Sequence, residues 1–203
     1  MAGFDDDAPA YRPETLAVRA GQERSQFGEH SEALYLTSSF VFKSAALAAH
    51  FGLPFCFAHF INPDGGDGVT RAYRAHFKPS SLHPKPMPMM AISVLCAETD
   101  EEADLLSRSR EVWAMRLRTL GNPGPVPSVE EALEAAKQPG AERWLPALRR
   151  RSVVGSPKTV RAGLERHAAA YEVDEIMAVT ICYDFEKRKR SYELLAEEFG
   201  LNT

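Results

Sequence analysis

"KSAALAAHFGLPFCFAHF" (residues 43–60) holds the end of a helix and the start of a strand. "AALAAHF" reads as a helix tail ended by Gly52, and Pro54 cannot continue it. The run "LPFCFAHF" is short and apolar, the kind of strand buried on both faces of a sheet. Upstream of this junction the chain is polar, arginine-rich and punctuated by Gly21 and Gly28. Downstream it alternates strand-like and helix-like segments, so the stretch marks a change of style within one chain.

The downstream pattern is regular. "NPDGGDG" is a loop and "VTRAYRAHF" a helix closed by Lys78-Pro79. A strand follows over Met89–Ala97, and then Thr99 and Glu102 form a capping box. That helix runs to Gly121, with Leu106, Trp113, Leu117 and Leu120 spaced as one apolar face. "GNPGPVPS" breaks it. Ser128 and Glu131 make a second capping box before "VEEALEAAK", and residues 138–150 read as irregular and basic. "RSVVG" is a brief strand. "SPKTVRAGLERHAAAY" is a helix with Ser156 as N-cap and Pro157 at its first position. "DEIMAVTICYD" is a strand and "RSYELLAEEF" a last amphipathic helix.

From residue 53 onward, strand and helix therefore alternate four times, with an insertion before the third strand. Repeated βα units with doubly buried strands imply a parallel sheet covered by helices. Four such units make half of a (β/α)8 barrel, and no sequence repeat runs through them. Upstream, residues 1 to about 14 carry too little apolar surface to order. "PETLAVRAGQE" forms a short helix stopped by Gly21, and "EALYLTSSFVFKS" reads as extended. The expectation is an α/β chain: a partial, half TIM barrel with an extended N-terminal arm, divided into residues 1–44 and 45–203.

Composition narrows the function classes. The 203 residues are 44% hydrophobic and 26% charged, as in a globular protein. A net charge of −4 gives no broad electrostatic footprint for nucleic acid or an anionic membrane. The runs "RRR" (149–151) and "KRKR" (187–190) lack the aromatic interleaving of a nucleic-acid surface and read as solvated faces. No apolar run reaches the roughly 18 residues of a spanning helix, and "MAGFDDDAPAYRPE" is not a signal peptide. Cys56, Cys96 and Cys182 are an odd number, far apart in apolar runs, which suggests reduced thiols and a cytoplasmic location. No cluster of His, Cys, Asp or Glu has metal-ligand spacing.

Two resemblances divide the chain where its style changes. "RPETLAVRAGQERSQFGEHSEALYLTSSFVFKSAA", about residues 12–46, resembles the N-terminal arm of O-succinylhomoserine sulfhydrylase and related pyridoxal phosphate enzymes. The phosphate-binding and Schiff-base lysine segments of that family have no counterpart here. No lysine of the chain has that setting, so no PLP chemistry is expected. From about residue 45, "AALAAHFGLPFCFAHFINP", "AETDEEADLL", "SVVGSPKTVRAGL" and "DEIMAVTICYDFEKRKRSYELLAEEF" resemble the C-terminal half of bacterial luciferase-like, flavin-dependent monooxygenases. The resemblance implies the fifth to eighth βα units of a TIM barrel, joined to the sulfhydrylase-like arm near Ser44–Ala46 by a gene fusion or rearrangement.

That family uses reduced FMN and oxygen at the C-terminal rim of its barrel, where barrel enzymes place function. Candidates for the rim are His59 after the first strand, Gly155-Ser156 after the third and Tyr183-Asp184 after the fourth. His59 is the candidate catalytic residue, lining a substrate pocket or bonding a flavin oxygen. The alternative is a buried histidine satisfied by a backbone carbonyl. Gly155 and Ser156 are candidates to hold a phosphate at a helix N-terminus, against an ordinary Ser N-cap. Ser44 stands where the family's phosphate-binding loop belongs and is the third cofactor candidate. Tyr183 and Asp184 read as a strand end and a helix cap.

By resemblance the chain is a luciferase-like oxidoreductase acting with reduced FMN on a small organic substrate, impaired by loss of the first half of its barrel. Four parallel strands leave two open edges, through which a homo-oligomer would form. Three other readings stand beside it. The chain is a non-catalytic fusion remnant, an interaction module whose arm docks on a sulfhydrylase, or, most remotely, a sulfhydrylase-related fragment. Neither nucleic acid nor membrane is an expected partner.

Overall fold

The segment "PMMAISVLC" becomes the strand on which everything else is hung. The computed structural model describes residues 38–138 and 140–201. The expected disordered start, the short helix before Gly21 and the arm as far as residue 37 lie outside the described residues. Those form α1 (Ser38–Phe51), β1 (Phe55–Ala58), α2 (Gly66–His76), β2 (Pro88–Cys96), α3 (Asp100–Leu120), α4 (Val129–Ala136), α5 (Ala141–Arg149), β3 (Ser152–Gly155), α6 (Pro157–Tyr171), β4 (Glu175–Val179) and α7 (Phe185–Glu198). The chain is thus α/β, with one parallel sheet.

β2 is central because it is long and apolar throughout. Every residue from Met90 to Cys96 is buried, as a strand covered on both faces requires. β1 pairs with it over Pro88–Ala91, and β3 over Ser93–Cys96. β4 pairs with it over Met89–Ser93. Met89 to Ala91 lie opposite partners on both β1 and β4, and Ser93 opposite partners on both β3 and β4, so β1 and β3 must share one edge of β2. β4 occupies the other edge. In an arc of consecutive barrel strands the fourth would lie beside the third, whereas here both flank the second. The reason is length: nine residues extend about 30 Å, enough for two four-residue strands placed end to end. The junction is fastened where the Arg151 guanidinium bonds the Ile61 carbonyl.

Alternate residues of the strands enter one core. Phe55 and Phe57 of β1 join Met90, Ile92 and Val94 of β2 beneath Tyr73, Leu164 and Tyr171 of the helices. Two glycines let helices come close. A Cβ on Gly66 would lie 2.2 Å from the Phe57 ring, and one on Gly163 would lie 2.5 Å from Val153.

The expected caps form with one difference. Ser128 and Glu131 make a full capping box. Thr99 accepts from the Glu102 amide at 3.1 Å, but the Glu102 carboxylate bonds Lys187 instead of closing its box. Three expectations are corrected. The extended arm does not reach residue 44, because α1 already begins at Ser38. The β-preference of Phe40, Val41 and Phe42 is weaker than the gain from extending a helix already nucleated by "AALAA". The 44/45 boundary therefore falls inside α1. Residues 141–149 are helical despite Pro146, and Arg149 ties this helix to α3 through Asp104 and Glu111. Finally, α3 does not bury its leucine stripe: Leu117 and Leu120 are exposed, and the buried face carries Ala103, Ser107, Arg110 and Glu111.

Candidate functional site

At the C-terminal end of β3, Gly155 pairs with Cys96 and the chain turns into α6. The turn is already occupied. The Ser156 amide donates to Asp100 Oδ1 at 2.6 Å, and Thr159 Oγ1 donates to Asp100 Oδ2 at 3.1 Å. Ser156 Oγ, the expected cap, is 3.2 Å from Thr159 Oγ1 and caps nothing. Asp100, at the start of α3, thus supplies the negative charge that a helix N-terminus attracts. The bonds from the Ser156 amide and Thr159 hold its carboxyl below the usual carboxylate range.

A cavity of about 410 Å³ adjoins this turn, lined by Asp100, Asp104, Glu111, Arg149 and Thr159 among others. Asp104 bonds Arg108 at 2.7 Å and Arg149 at 2.6 Å. Glu111, buried in α3, bonds the same two arginines at 3.3 and 2.9 Å. Each guanidinium is shared by two carboxylates, so none of this charge is held for a ligand. The cavity wall presents three carboxylates against one guanidinium. Gly155 has no room to yield, since a Cβ there would lie 2.7 Å from Asp100 Oδ1. The residues at this turn therefore do not fit a flavin phosphate: its amide is bound to a carboxylate, and the adjoining wall repels an anion.

His59 lies elsewhere. Ala58 pairs with Ala91, so His59 is level with Ile92, about 13 Å along the strand from the level of Cys96 and Gly155. It shares the face of Phe55 and Phe57 and is 2% exposed. Its ring packs edge-on against His167 at 4.9 Å and Tyr171 at 5.6 Å, both on α6. Nδ1 has no hydrogen-bond partner, so the carbonyl anticipated for it does not satisfy that nitrogen. Burial first, then the neighbouring His167, pushes its pKa down from 6.5 to about 4, against a weaker upward pull from Asp64. The Tyr171 hydroxyl donates to the Pro63 carbonyl at 2.9 Å.

Ser44 is the seventh residue of α1, beyond the first turn whose amides remain available to a ligand. Tyr183 is exposed, and Asp184 caps α7 by accepting from the Lys187 amide at 2.9 Å. The structure therefore does not gather His59, Ser44 and Gly155-Ser156 into one site. Sequence reading missed the Asp104–Arg108–Glu111 network, whose spacings of four and three residues on α3 were a usable signal. Arg149 gave none, because its partners are 38 and 45 residues away. Among the described residues no three His, Cys, Asp or Glu side chains converge as a metal site, and no helix is long and apolar enough to cross a membrane.

No protein-family model matches the chain. Its relatives nevertheless define a class. A luciferase-like monooxygenase of Escherichia coli K12 is 33% identical over 171 residues, covering 83% of this chain and 49% of that protein. The solved structure of apo-MsnO8 is 36% identical with a TM-score of 0.72, covering 79% of this chain and 49% of that one. Over about four-fifths of its length the chain is thus similar to luciferase-like monooxygenases. The chain spans about half the length of the curated relatives it matches. The arm has a separate match, to O-succinylhomoserine sulfhydrylase of Pseudomonas aeruginosa PAO1, 58% identical over 46 residues, 23% of this chain and 11% of that enzyme.

Proposed function

We propose that this chain is, by descent, a flavin-dependent monooxygenase of the luciferase-like class, acting with reduced FMN and oxygen on a small organic substrate, and that flavin binding by the chain is impaired. The observation that carries the class is homology over 83% of the chain to a luciferase-like monooxygenase, on a parallel sheet with helices after its strands. The Asp100 carboxylate on the Ser156 amide supports the impairment. Because the residues at that turn do not fit the cofactor, no catalytic step is assigned to it. A catalytic part for His59 would require α6 to lift away from β1.

The barrel reading extends to assembly. β4 has no strand on its outer edge among the described residues, and Met177 on it is 53% exposed. Pairing of that edge with a second copy would satisfy its free backbone groups. A fusion of the two families at α1 is supported by the short sulfhydrylase match.

A second reading, the non-catalytic remnant, is favoured by the same Asp100 contact. Titration with anaerobically reduced FMN, followed by fluorescence with mass from light scattering, separates the two. Impaired binding gives saturation with a Kd of about 0.1–1 mM, carried by a defined oligomer. Absence of saturation throughout that range leaves the remnant.

A further inference from the structure

We propose that the C-terminal half of α6, residues 164–171, is an acid-released flap over β1: a proton on the buried His59 lets it swing out while Asp100 keeps the N-terminal half seated. The inference is independent of flavin binding. The two halves are held by different means. Ahead of Gly163, the Asp100 carboxylate takes the Ser156 amide and the Thr159 hydroxyl at 2.6 and 3.1 Å. Val160 is fully buried there, and Arg161 donates to the Glu198 carbonyl at 2.6 Å. Gly163 lies against Val153 and is, proline aside, the poorest helix former, so the helix parts most readily at this point.

Beyond Gly163 the contacts converge on a buried imidazole. His59 is 2% exposed, and its ring meets His167 at 4.9 Å and Tyr171 at 5.6 Å. Its Nδ1 has no partner, so an imidazolium would carry a desolvated N–H with nothing to bond. The groups around it offer little relief. α6 presents His167, with Arg166 behind it, and Tyr171. Asp64, in the loop after β1, is engaged by Arg150 at 3.4 Å, and Asp67 on α2 by Arg71 at 2.6 Å. The end of the helix is strained as well. Glu172 is the one described non-glycine residue at positive φ, 51°, where a side chain is disfavoured. Arg74 holds it there, donating to its carbonyl at 2.6 and 2.8 Å. Opening relieves that strain and solvates the imidazolium together. Burial, then His167, push the His59 pKa from 6.5 down to about 4 in the closed state. The open state therefore binds the proton more tightly, so the flap is fully closed above about pH 6.5 and loosens as pH falls toward 4. The opening equilibrium rises about 20-fold from pH 7 to pH 5.

Amide hydrogen exchange of the full chain at both pH values, read as protection factors for the parent and His59→Leu, tests this. Over that interval the amides of residues 165–171 should lose about 20-fold more protection in the parent than in the variant. In the parent at pH 5 they should exchange at least about tenfold ahead of residues 92–95 in β2 and be indifferent to low urea, as a local opening is. The Arg161 and Ala162 amides should keep pace with β2. The parent alone suffices to overturn the proposal: exchange of residues 165–171 in step with β2, or with Arg161 and Ala162, would mean that no separate flap exists. Equal loss of protection in parent and His59→Leu would overturn it too, by removing His59 as the trigger.

Discussion

Replacing His59 by leucine should remove a specific part of the acid sensitivity of this fold. His59 is 2% exposed with an unpartnered Nδ1, and its pKa is pushed down from 6.5 to about 4. The groups facing it are His167 and Tyr171 on α6 and Asp64 in the loop after β1. Since the folded pKa is depressed, the unfolded chain binds the proton more readily. Stability is complete above about pH 6.5 and is lost as pH falls toward 4. Taking 6.5 and 4 for the two states, protonation costs about 0.2 kcal/mol at pH 7 and about 2 kcal/mol at pH 5. Urea unfolding followed by circular dichroism at both pH values measures the loss. The parent should lose about 2 kcal/mol more than His59→Leu over that interval, while carboxylate titrations common to both proteins cancel. At pH 7 the variant should unfold within about 1 kcal/mol of the parent, because no hydrogen bond to Nδ1 is lost. Equal pH dependence in the two proteins would refute the reasoning, since it would mean that His59 is solvated or partnered when folded.

Glu111→Ala leaves Arg108 and Arg149 with Asp104 as their one remaining carboxylate and empties a buried position, so it should destabilise the fold by about 1–2 kcal/mol in urea unfolding. Ser191→Ala removes the hydroxyl that accepts from the buried Cys96 amide at 2.9 Å. It should cost about 1–3 kcal/mol by the same assay, and no change would mean that the amide finds another acceptor. On the open edge, Met177→Lys should shift the mass measured by light scattering toward the monomer, because a charge on an edge strand opposes pairing. An unchanged mass would place self-association elsewhere.

Much of the architecture was legible because local chemistry and tertiary structure agree. The apolar runs at 55–58 and 88–96 became strands, the Ser128–Glu131 box closed, and Asp184 capped its helix. Periodicity failed on α3, where the leucines at 117 and 120 are exposed and an ion network is buried, because the burial of Glu111 depends on an arginine 38 residues away. Propensity failed at Phe40–Phe42, where helix extension outweighed β-preference. The site was less legible than the fold. Strand ends at 58 and 155 read as equivalent, but register against β2 separates them by about 16 Å. The Gly-Ser-Pro turn did mark a helix N-terminus, as read. Nothing in its sequence revealed that Asp100, more than fifty residues earlier, fills it.

In a chain that we propose descends from flavin monooxygenases, Asp100 holds the place an anion would take at α6. Anaerobic titration of the parent and Asp100→Ala with reduced FMN tests it most directly. The parent should bind weakly but saturably, with a Kd of about 0.1–1 mM, and the variant about tenfold more tightly once the Ser156 amide is freed. Micromolar binding by the parent, unchanged in Asp100→Ala, would contradict it.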